Sequence, residues 1–161
     1  ILEIGWGLGC ASLVAHRRGA QVTASDCHPL ARAFLDENSR LNGLAPMPYR
    51  HGLWGTAATR DDGQPVLTQA QDAPLSGLFD LIVGSDILYE RDEAGTLAHF
   101  IHEHAARSSE IWVIDPNRGN RAAFHKHMAH AGFAMHEQVL DQAAHQGVEA
   151  YKGRMLTYTR H

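Results

Sequence analysis

A chain of 161 residues with 44% hydrophobic and 20% charged side chains has the size and composition of one folded domain rather than of a disordered chain. No apolar run approaches the roughly 20 residues that cross a membrane, and a net charge of −4 argues against nucleic acid as a partner. The two cysteines, Cys10 and Cys27, have neither metal-ligand nor disulfide spacing, and no signal peptide is visible. We therefore expect a single intracellular, cytoplasmic domain over residues 1–161. Nothing in the sequence indicates an oligomeric state.

Short apolar runs alternate with longer segments of helical spacing, a pattern typical of βαβ units around a mostly parallel sheet. The chain opens at Ile1 already inside a strand and without an initiator methionine, so we expect an N-terminal segment to be missing. Strands are predicted over residues 1–4, 21–25, 48–54, 79–85 and 111–115, and helices over 8–18, 29–43, 97–106 and 121–130.

In the second helix, Leu30, Phe34 and Leu41 share one side, which we expect to face the sheet. Residues 133–139 and 151–159 predict two final strands with no helix between them, and thus an antiparallel hairpin. A long polar surface loop is expected over residues 57–76. The predicted fold is therefore α/β, with seven strands in a mostly parallel sheet that ends in that hairpin.

A glycine-rich turn follows the first strand. Glu3 precedes glycines at positions 5, 7 and 9, and a helix begins just after them. Glycines let the backbone approach a ligand closely, and the helix N-terminus favours polar or anionic groups, so the turn predicts a nucleotide-like cofactor. Cys10 stands where a dinucleotide-binding fingerprint has its last glycine, so the spacing disfavours NAD.

Asp26 ends the second strand, 17 residues after Gly9. A carboxylate there can accept hydrogen bonds from both hydroxyls of a ribose, which implies an adenosine. The alternative is an aspartate that caps the helix predicted to begin at Pro29.

Together, residues 1–9, 23–29 and 79–90 resemble class I S-adenosylmethionine-dependent methyltransferases, and more narrowly their family 16 group. That group includes protein lysine and N-terminal methyltransferases and nicotinamide N-methyltransferase-like relatives. The resemblance runs nearly end to end and implies a Rossmann-like sheet flanked by helices, with S-adenosyl-L-methionine as the cofactor. It assigns cofactor binding to seven positions: Glu3, Gly5, Gly7, Gly9, Asp26, Trp54 and Ser85.

Some of these assignments leave alternatives open. Trp54 follows the third strand, where the family often has a tryptophan near the adenine, but it could equally be a core aromatic. Trp6 stands where the family has a small residue or cysteine, and we expect it to cover or narrow the pocket.

The family's D-x-x-Y motif appears as Asp86 to Tyr89, directly after the fourth strand. Ligands of open α/β sheets bind beyond the carboxyl ends of the strands, so we expect Asp86 beside the glycine-rich turn, facing the methyl group. A carboxylate raises the pKa of a nearby ammonium, so Asp86 is assigned to orienting an amine rather than to general-base catalysis, with Tyr89 against the same amine. The alternative is a turn-capping aspartate. We expect residues 115–121 either to line the substrate entrance or to cap the next helix.

The predicted reaction is methyl transfer to an amine nitrogen, in a protein lysine or N-terminus. A small-molecule, nicotinamide-like N-methyltransferase and a non-catalytic interaction module remain alternatives, and an NAD oxidoreductase is the least favoured. Histidines crowd two helices, but they lack an H-E-x-x-H motif and acidic or cysteine partners, so no metal is predicted.

Overall fold

A computed structural model describes residues 1–54 and 73–161 of the chain. The chain divides into two compact units, Ile1–Gly77 and Leu78–His161, called here the N-terminal and C-terminal units. Most of the polar loop predicted over residues 57–76 lies outside the described residues. In the described part of the chain, every helix is too short or too polar to cross a membrane.

The N-terminal unit is built from three parallel strands and two helices. In chain order these are β1 (Leu2–Ile4), α1 (Cys10–Arg17), β2 (Thr23–Asp26), α2 (Ala31–Leu41) and β3 (Tyr49–His51). The strands lie in the order β3-β2-β1, with Leu2 opposite Thr23 and Ala24 opposite Tyr49. Because the strands are parallel, the glycine-rich turn after β1 and Asp26 at the end of β2 lie at the same edge.

The core of the N-terminal unit explains which side of α2 is buried. Its buried members are Trp6, Val22, Ala24, Ala31, Leu35, Met47 and Tyr49. The prediction that Leu30, Phe34 and Leu41 face the sheet is wrong, since these side chains are 50%, 50% and 65% exposed. The neighbouring stripe is buried instead: Ala31, Leu35 and Ser39. These three lie four residues apart, and two of them are small, which lets the helix backbone approach its neighbours closely.

The C-terminal unit contains four strands and two helices. They are β4 (Phe79–Ser85), α3 (Thr96–His104), β5 (Ala105–Asp115), α4 (Arg121–His130), β6 (Ala134–Gln142) and β7 (Tyr151–Arg160). The strand order is β4-β5-β7-β6, with β5 parallel to β4 and β7 antiparallel to both its neighbours. Asp115 at the end of β5 lies opposite Arg154 near the start of β7. The ends of β4 and β5 and the start of β7 therefore share one edge.

Packing and capping fix the helices of this unit. Phe124 and Met128 of α4 are fully buried, and the Phe124 ring packs edge-on against that of Tyr158, with centroids 5.3 Å apart. The buried carboxylate of Asp92 accepts hydrogen bonds from the backbone N–H groups of Leu97 and Ala98 at 3.2 and 3.1 Å, at the start of α3. A carboxylate at this end of a helix satisfies N–H groups that have no partner within the helix.

The predicted fold class is confirmed: the described residues form seven strands of a mostly parallel, Rossmann-like sheet flanked by helices, with an antiparallel hairpin at the C-terminal end. Strand β4 and helix α4 have the predicted limits. Strand β5 is longer than predicted, because its polar first half carries no apolar signal, and β3 is shorter.

Candidate functional site

The glycine-rich turn after β1 requires glycine for backbone reasons. Gly5, Gly7 and Gly9 have φ angles of 56°, 52° and 68°, in the left-handed region that other residues rarely adopt. Among the described residues, the atom nearest to a Cβ built on Gly7 is the carbonyl oxygen of Gly5 at 4.0 Å, whereas a Cβ on Gly9 would lie 2.1 Å from the ring of Trp6. The lack of a side chain at Gly9 therefore makes room for the ring of Trp6. The lack of a side chain at Gly7 leaves open space beside the turn.

Trp6 is part of the core. Its side chain is 3% exposed and belongs to the apolar cluster of the N-terminal unit. The ring packs inward beside Gly9, and the expectation that Trp6 covers or narrows the pocket stays a prediction.

Glu3 connects β1 to the start of α1. Its Oε2 accepts a hydrogen bond from the backbone N–H of Ser12 at 2.7 Å, and the side chain is 3% exposed. Burial raises the pKa of Glu3, and hydrogen bonding at the start of α1 opposes that rise. The contact holds the first turn of the helix against the strand that leads into the glycines.

Asp26 is placed beside the glycine-rich turn. Its Oδ1 accepts the backbone N–H of His28 at 2.8 Å, and its Oδ2 lies 3.4 Å from the backbone nitrogen of Gly7, a long hydrogen bond. Asp26 makes no cap for α2, which begins at Ala31 without a side-chain hydrogen bond at its N-cap. One carboxylate oxygen thus fixes the local turn, and the other faces the glycines.

Trp54 follows β3 and is half-buried, three residues beyond His51. Both interpretations of this residue, near the adenine or in the core, stay open.

In the C-terminal unit, Asp86 follows the exposed Ser85 at the end of β4. Its φ angle of 56° is left-handed, and its backbone N–H donates to the carbonyl of Ile114 at 2.8 Å. Its carboxylate forms a two-point ion pair with Arg118, whose Nε and Nη2 donate to Oδ1 and Oδ2 at 2.8 and 2.5 Å. This guanidinium lowers the pKa of Asp86. The carboxylate therefore contacts a residue far along the chain instead of capping a local turn.

The rest of the D-x-x-Y segment is held by its backbone. Ile87 and Leu88 are buried, whereas Tyr89 is 55% exposed. The side-chain amide of Asn120 donates to the carbonyls of Leu88 and Tyr89 at 3.0 and 3.1 Å. This contact ties the segment to the start of α4.

Asp115 organises the loop that carries these partners. It is fully buried, its Oδ1 accepts the backbone N–H of Arg118 at 3.1 Å, and its Oδ2 pairs with Arg121 at 3.0 Å. Sequence reasoning placed residues 115–121 near the substrate entrance but gave no role to Arg118 or Asn120. Their partners lie 32 residues away in sequence, beyond the reach of local spacing.

The histidine-rich helices form a separate groove. It is lined by side chains of α3 and α4, namely His99, His102, His127 and His130. Several of these rings already have neighbours, such as His102 beside Arg160 at 2.8 Å. Over residues 1–54 and 73–161, no group of three or more histidine, cysteine or acidic side chains is arranged to hold a metal ion.

Each unit thus brings together part of the predicted site. The N-terminal unit places Gly7 beside Asp26 and Glu3 beneath α1. The C-terminal unit presents Ser85, Asp86 and Tyr89 on one short segment, with Arg118 added to it.

Comparisons with solved structures show that the fold is that of class I S-adenosylmethionine-dependent methyltransferases. A methyltransferase from Pyrococcus furiosus matches with a TM-score of 0.69 and 14% identity, over 99% of this chain and 73% of its own. Magnesium protoporphyrin IX methyltransferase from Synechocystis PCC 6803, solved with bound SAM, matches with a TM-score of 0.65 and 20% identity, over 99% of this chain and 69% of its own. No family model matches the chain.

Among curated proteins, the chain is similar to the electron transfer flavoprotein beta subunit lysine methyltransferase of Mus musculus, with 29% identity over 120 residues. The match covers 73% of this chain, which spans 40% of the length of that relative. The enzyme of the same name from Rattus norvegicus matches equally, at 29% identity over 120 residues.

Proposed function

We propose that this chain is the catalytic domain of an S-adenosylmethionine-dependent methyltransferase that modifies the side-chain amine of a lysine in a protein. The observation that carries the proposal is the arrangement of the glycine-rich turn, in which Gly7 leaves open space and Asp26 directs a carboxylate oxygen toward the same turn. The similarity to lysine methyltransferases supports the choice of acceptor.

The residues of the N-terminal unit fit this cofactor. Among the described residues, the left-handed turn at Gly5, Gly7 and Gly9 leaves open space beside Gly7, which suits a ligand that lies against the backbone. Asp26 keeps acceptor capacity for ribose hydroxyls, because within the described residues its two oxygens accept one short and one long hydrogen bond from the backbone. Glu3 acts as the support that fixes the start of α1. Ser85 and Trp54 complete the proposed cofactor set.

The reaction places modest demands on the chain. When bound, S-adenosylmethionine supplies an activated methyl group on a sulfonium. The chain must hold an amine in line, exclude water and favour the neutral amine. A lysine amine with an ordinary pKa of about 10.4 loses its proton at neutral pH at a cost of about 4–5 kcal/mol. We assign Asp86 to orienting the amine and Tyr89 to packing against it.

We also propose that residues 1–161 act as one domain and work in the cytoplasm, where the free state of both cysteines is usual. The acceptor is proposed to be a protein, with neither nucleic acid nor a membrane as a partner. An N-terminal amine or a small-molecule amine would use the same cofactor residues, so the acceptor assay must separate these possibilities.

The test is a methyl-transfer assay with the full-length protein and tritiated S-adenosylmethionine, offered the purified electron transfer flavoprotein beta subunit, a cell lysate and nicotinamide in parallel. Labelled methyl-lysine in a protein supports the proposal. Label found only on a small molecule supports the alternative N-methyltransferase. Absence of calorimetric binding of S-adenosylhomocysteine would favour a non-catalytic module, and preference for NADH an oxidoreductase.

A further inference from the structure

The ion pair between Asp86 and Arg118 bears on a problem that any amine methyltransferase must solve. A lone carboxylate would bind an acceptor ammonium well but would also raise its pKa and so hold the amine in its unreactive, protonated form. The carboxylate of Asp86 is not alone. Both of its oxygens accept hydrogen bonds from one guanidinium, at 2.8 and 2.5 Å.

Neighbouring residues fix the position of Arg118. Its backbone N–H donates to the buried carboxylate of Asp115, which in turn pairs with Arg121. The backbone of Asp86 is fixed by its N–H bond to Ile114 in β5. Both segments are therefore fixed, and the guanidinium and the carboxylate form a bidentate pair, the geometry in which an arginine–carboxylate interaction is strongest.

The pair remains accessible to a substrate. The side chains of Arg118 and Asp86 are 49% and 39% exposed. The guanidinium occupies one hydrogen-bonding direction of each oxygen, and a carboxylate oxygen has a second lone pair that can accept from an amine.

The other charged and titratable groups around the pair also matter. Asp115 of β5 acts electrostatically on Arg118, and Tyr151 of β7 has its pKa raised by burial, with further contributions from Asp115 and Asp86. Arg121 of α4 pairs with Asp115 and lies 3.9 Å from Glu137 of β6, which also pairs with Arg154 of β7 and lies 4.0 Å from His125 of α4. Burial lowers the pKa of His125. Three acids (Asp86, Asp115 and Glu137) therefore face three arginines (Arg118, Arg121 and Arg154), and the group has no net charge while Tyr151 is protonated and His125 is neutral.

We propose that Arg118 is a positioning residue that neutralises Asp86, so that the site orients the acceptor amine without favouring its protonated form. The inference rests on the proposed function. It assigns to Arg118 an effect on the pH dependence of turnover, which an arginine that merely stabilises the fold would not have.

The experiment measures kcat and KM between pH 6 and 10 for the full-length protein and Arg118→Met, using the acceptor protein labelled in the assay above. Removal of the guanidinium leaves the Asp86 charge unbalanced, so the apparent pKa of the kcat profile is expected to rise by about 1 unit. At pH 7 this corresponds to about a tenfold fall in kcat that recovers at alkaline pH, with KM unchanged or lower.

Three variants control the interpretation. Arg118→Lys keeps the charge and is expected to keep the wild-type profile. Arg107→Met removes an exposed arginine from β5 and is expected to change nothing. Asp86→Asn combined with Arg118→Met removes both charges, so its residual activity is expected to follow the wild-type pH profile. Binding of S-adenosylhomocysteine confirms that each variant is folded.

The outcomes separate the two proposals. An active wild type whose profile is unmoved by Arg118→Met, or a variant that loses kcat equally at every pH, overturns the role of Arg118 and leaves the proposed function standing. If Arg118→Met does not fold, Arg118→Lys provides the test. A kcat profile of Arg118→Lys that is shifted to higher pH, although the positive charge is kept, also overturns the proposed role of Arg118. A wild type that methylates no acceptor overturns both proposals.

Discussion

Replacement of Asp26 by asparagine tests the cofactor assignment most directly. In the structure, Oδ1 of Asp26 accepts the N–H of His28 at 2.8 Å and Oδ2 lies 3.4 Å from the nitrogen of Gly7. An asparagine that keeps the short bond to His28 must put its NH2 group where Oδ2 was. The variant thus retains the turn but presents a donor, without charge, where a ribose hydroxyl needs an acceptor.

The expected loss follows from this exchange. A hydrogen bond to a charged group contributes about 1.5–3 kcal/mol, so affinity for S-adenosylhomocysteine should fall about 10- to 150-fold. Isothermal titration calorimetry measures the change. Asp36→Asn is the matched control, since Asp36 is an exposed acid of α2 in the same unit, 3.9 Å from Arg32. Thermal unfolding of Asp26→Asn should stay close to that of the wild type.

Unchanged affinity in Asp26→Asn would remove Asp26 from the cofactor site and leave it as a turn residue. A loss of affinity together with a large fall in Tm would mean that the bond to His28 matters for folding, and the cofactor assignment would then lose its main support.

Four further predictions concern Gly7, Gly9, Asp86 and Asp92. Gly7→Val should abolish S-adenosylhomocysteine binding in calorimetry, because its side chain would enter open space; its left-handed φ of 52° should cost about 1–3 kcal/mol of stability but leave the protein folded. Gly9→Ala should cost about 1–3 kcal/mol in chemical denaturation, because its Cβ would lie 2.1 Å from a ring atom. Normal binding by the Gly7 variant would make the turn purely structural. Asp86→Ala should lower turnover by about 100-fold but leave S-adenosylhomocysteine affinity within about threefold, and Asp80→Ala, which removes an exposed acid of β4, is the control. Surviving turnover with collapsed affinity would place Asp86 at the wrong end of the ligand. Asp92→Ala removes the carboxylate that caps α3. It should lower the free energy of unfolding by about 1–2 kcal/mol, or Tm by about 2–8 °C, without changing cofactor affinity. An unchanged Tm would contradict the capping role.

Local patterns predicted the elements that carry strong local signals. Strand β4 is an apolar run that ends before Asp86, and α4 lies between Asn120 and Gly132, so both ends of each could be read from the sequence. The turn at Gly7 and the acid at Asp26 were also visible, because glycine spacing and the position of an acid after a strand are local features.

The buried side of α2 and the ion pair between distant residues were harder to predict from the sequence. The apolar residues of α2 cover a wide arc, and the largest of them, including Leu30 and Phe34, proved to be exposed while Ala31 and Leu35 are buried. Side-chain size alone does not tell which part of a wide apolar arc meets the sheet. The ion pair of Arg118 with Asp86 was not predicted for a different reason, since the two residues are brought together only when β4 and β5 pair.

The left-handed backbone at Asp86 restricts which amino acids can replace it in any variant of this chain. At a φ angle of 56°, aspartate, asparagine and glycine are tolerated far better than longer or branched residues. Glutamate at this position would therefore be a poor substitute for two separate reasons, a less compatible backbone and a carboxylate moved one methylene away from the fork of Arg118. Asparagine would keep this backbone but would lose the negative charge that pairs with Arg118, so aspartate alone meets both requirements.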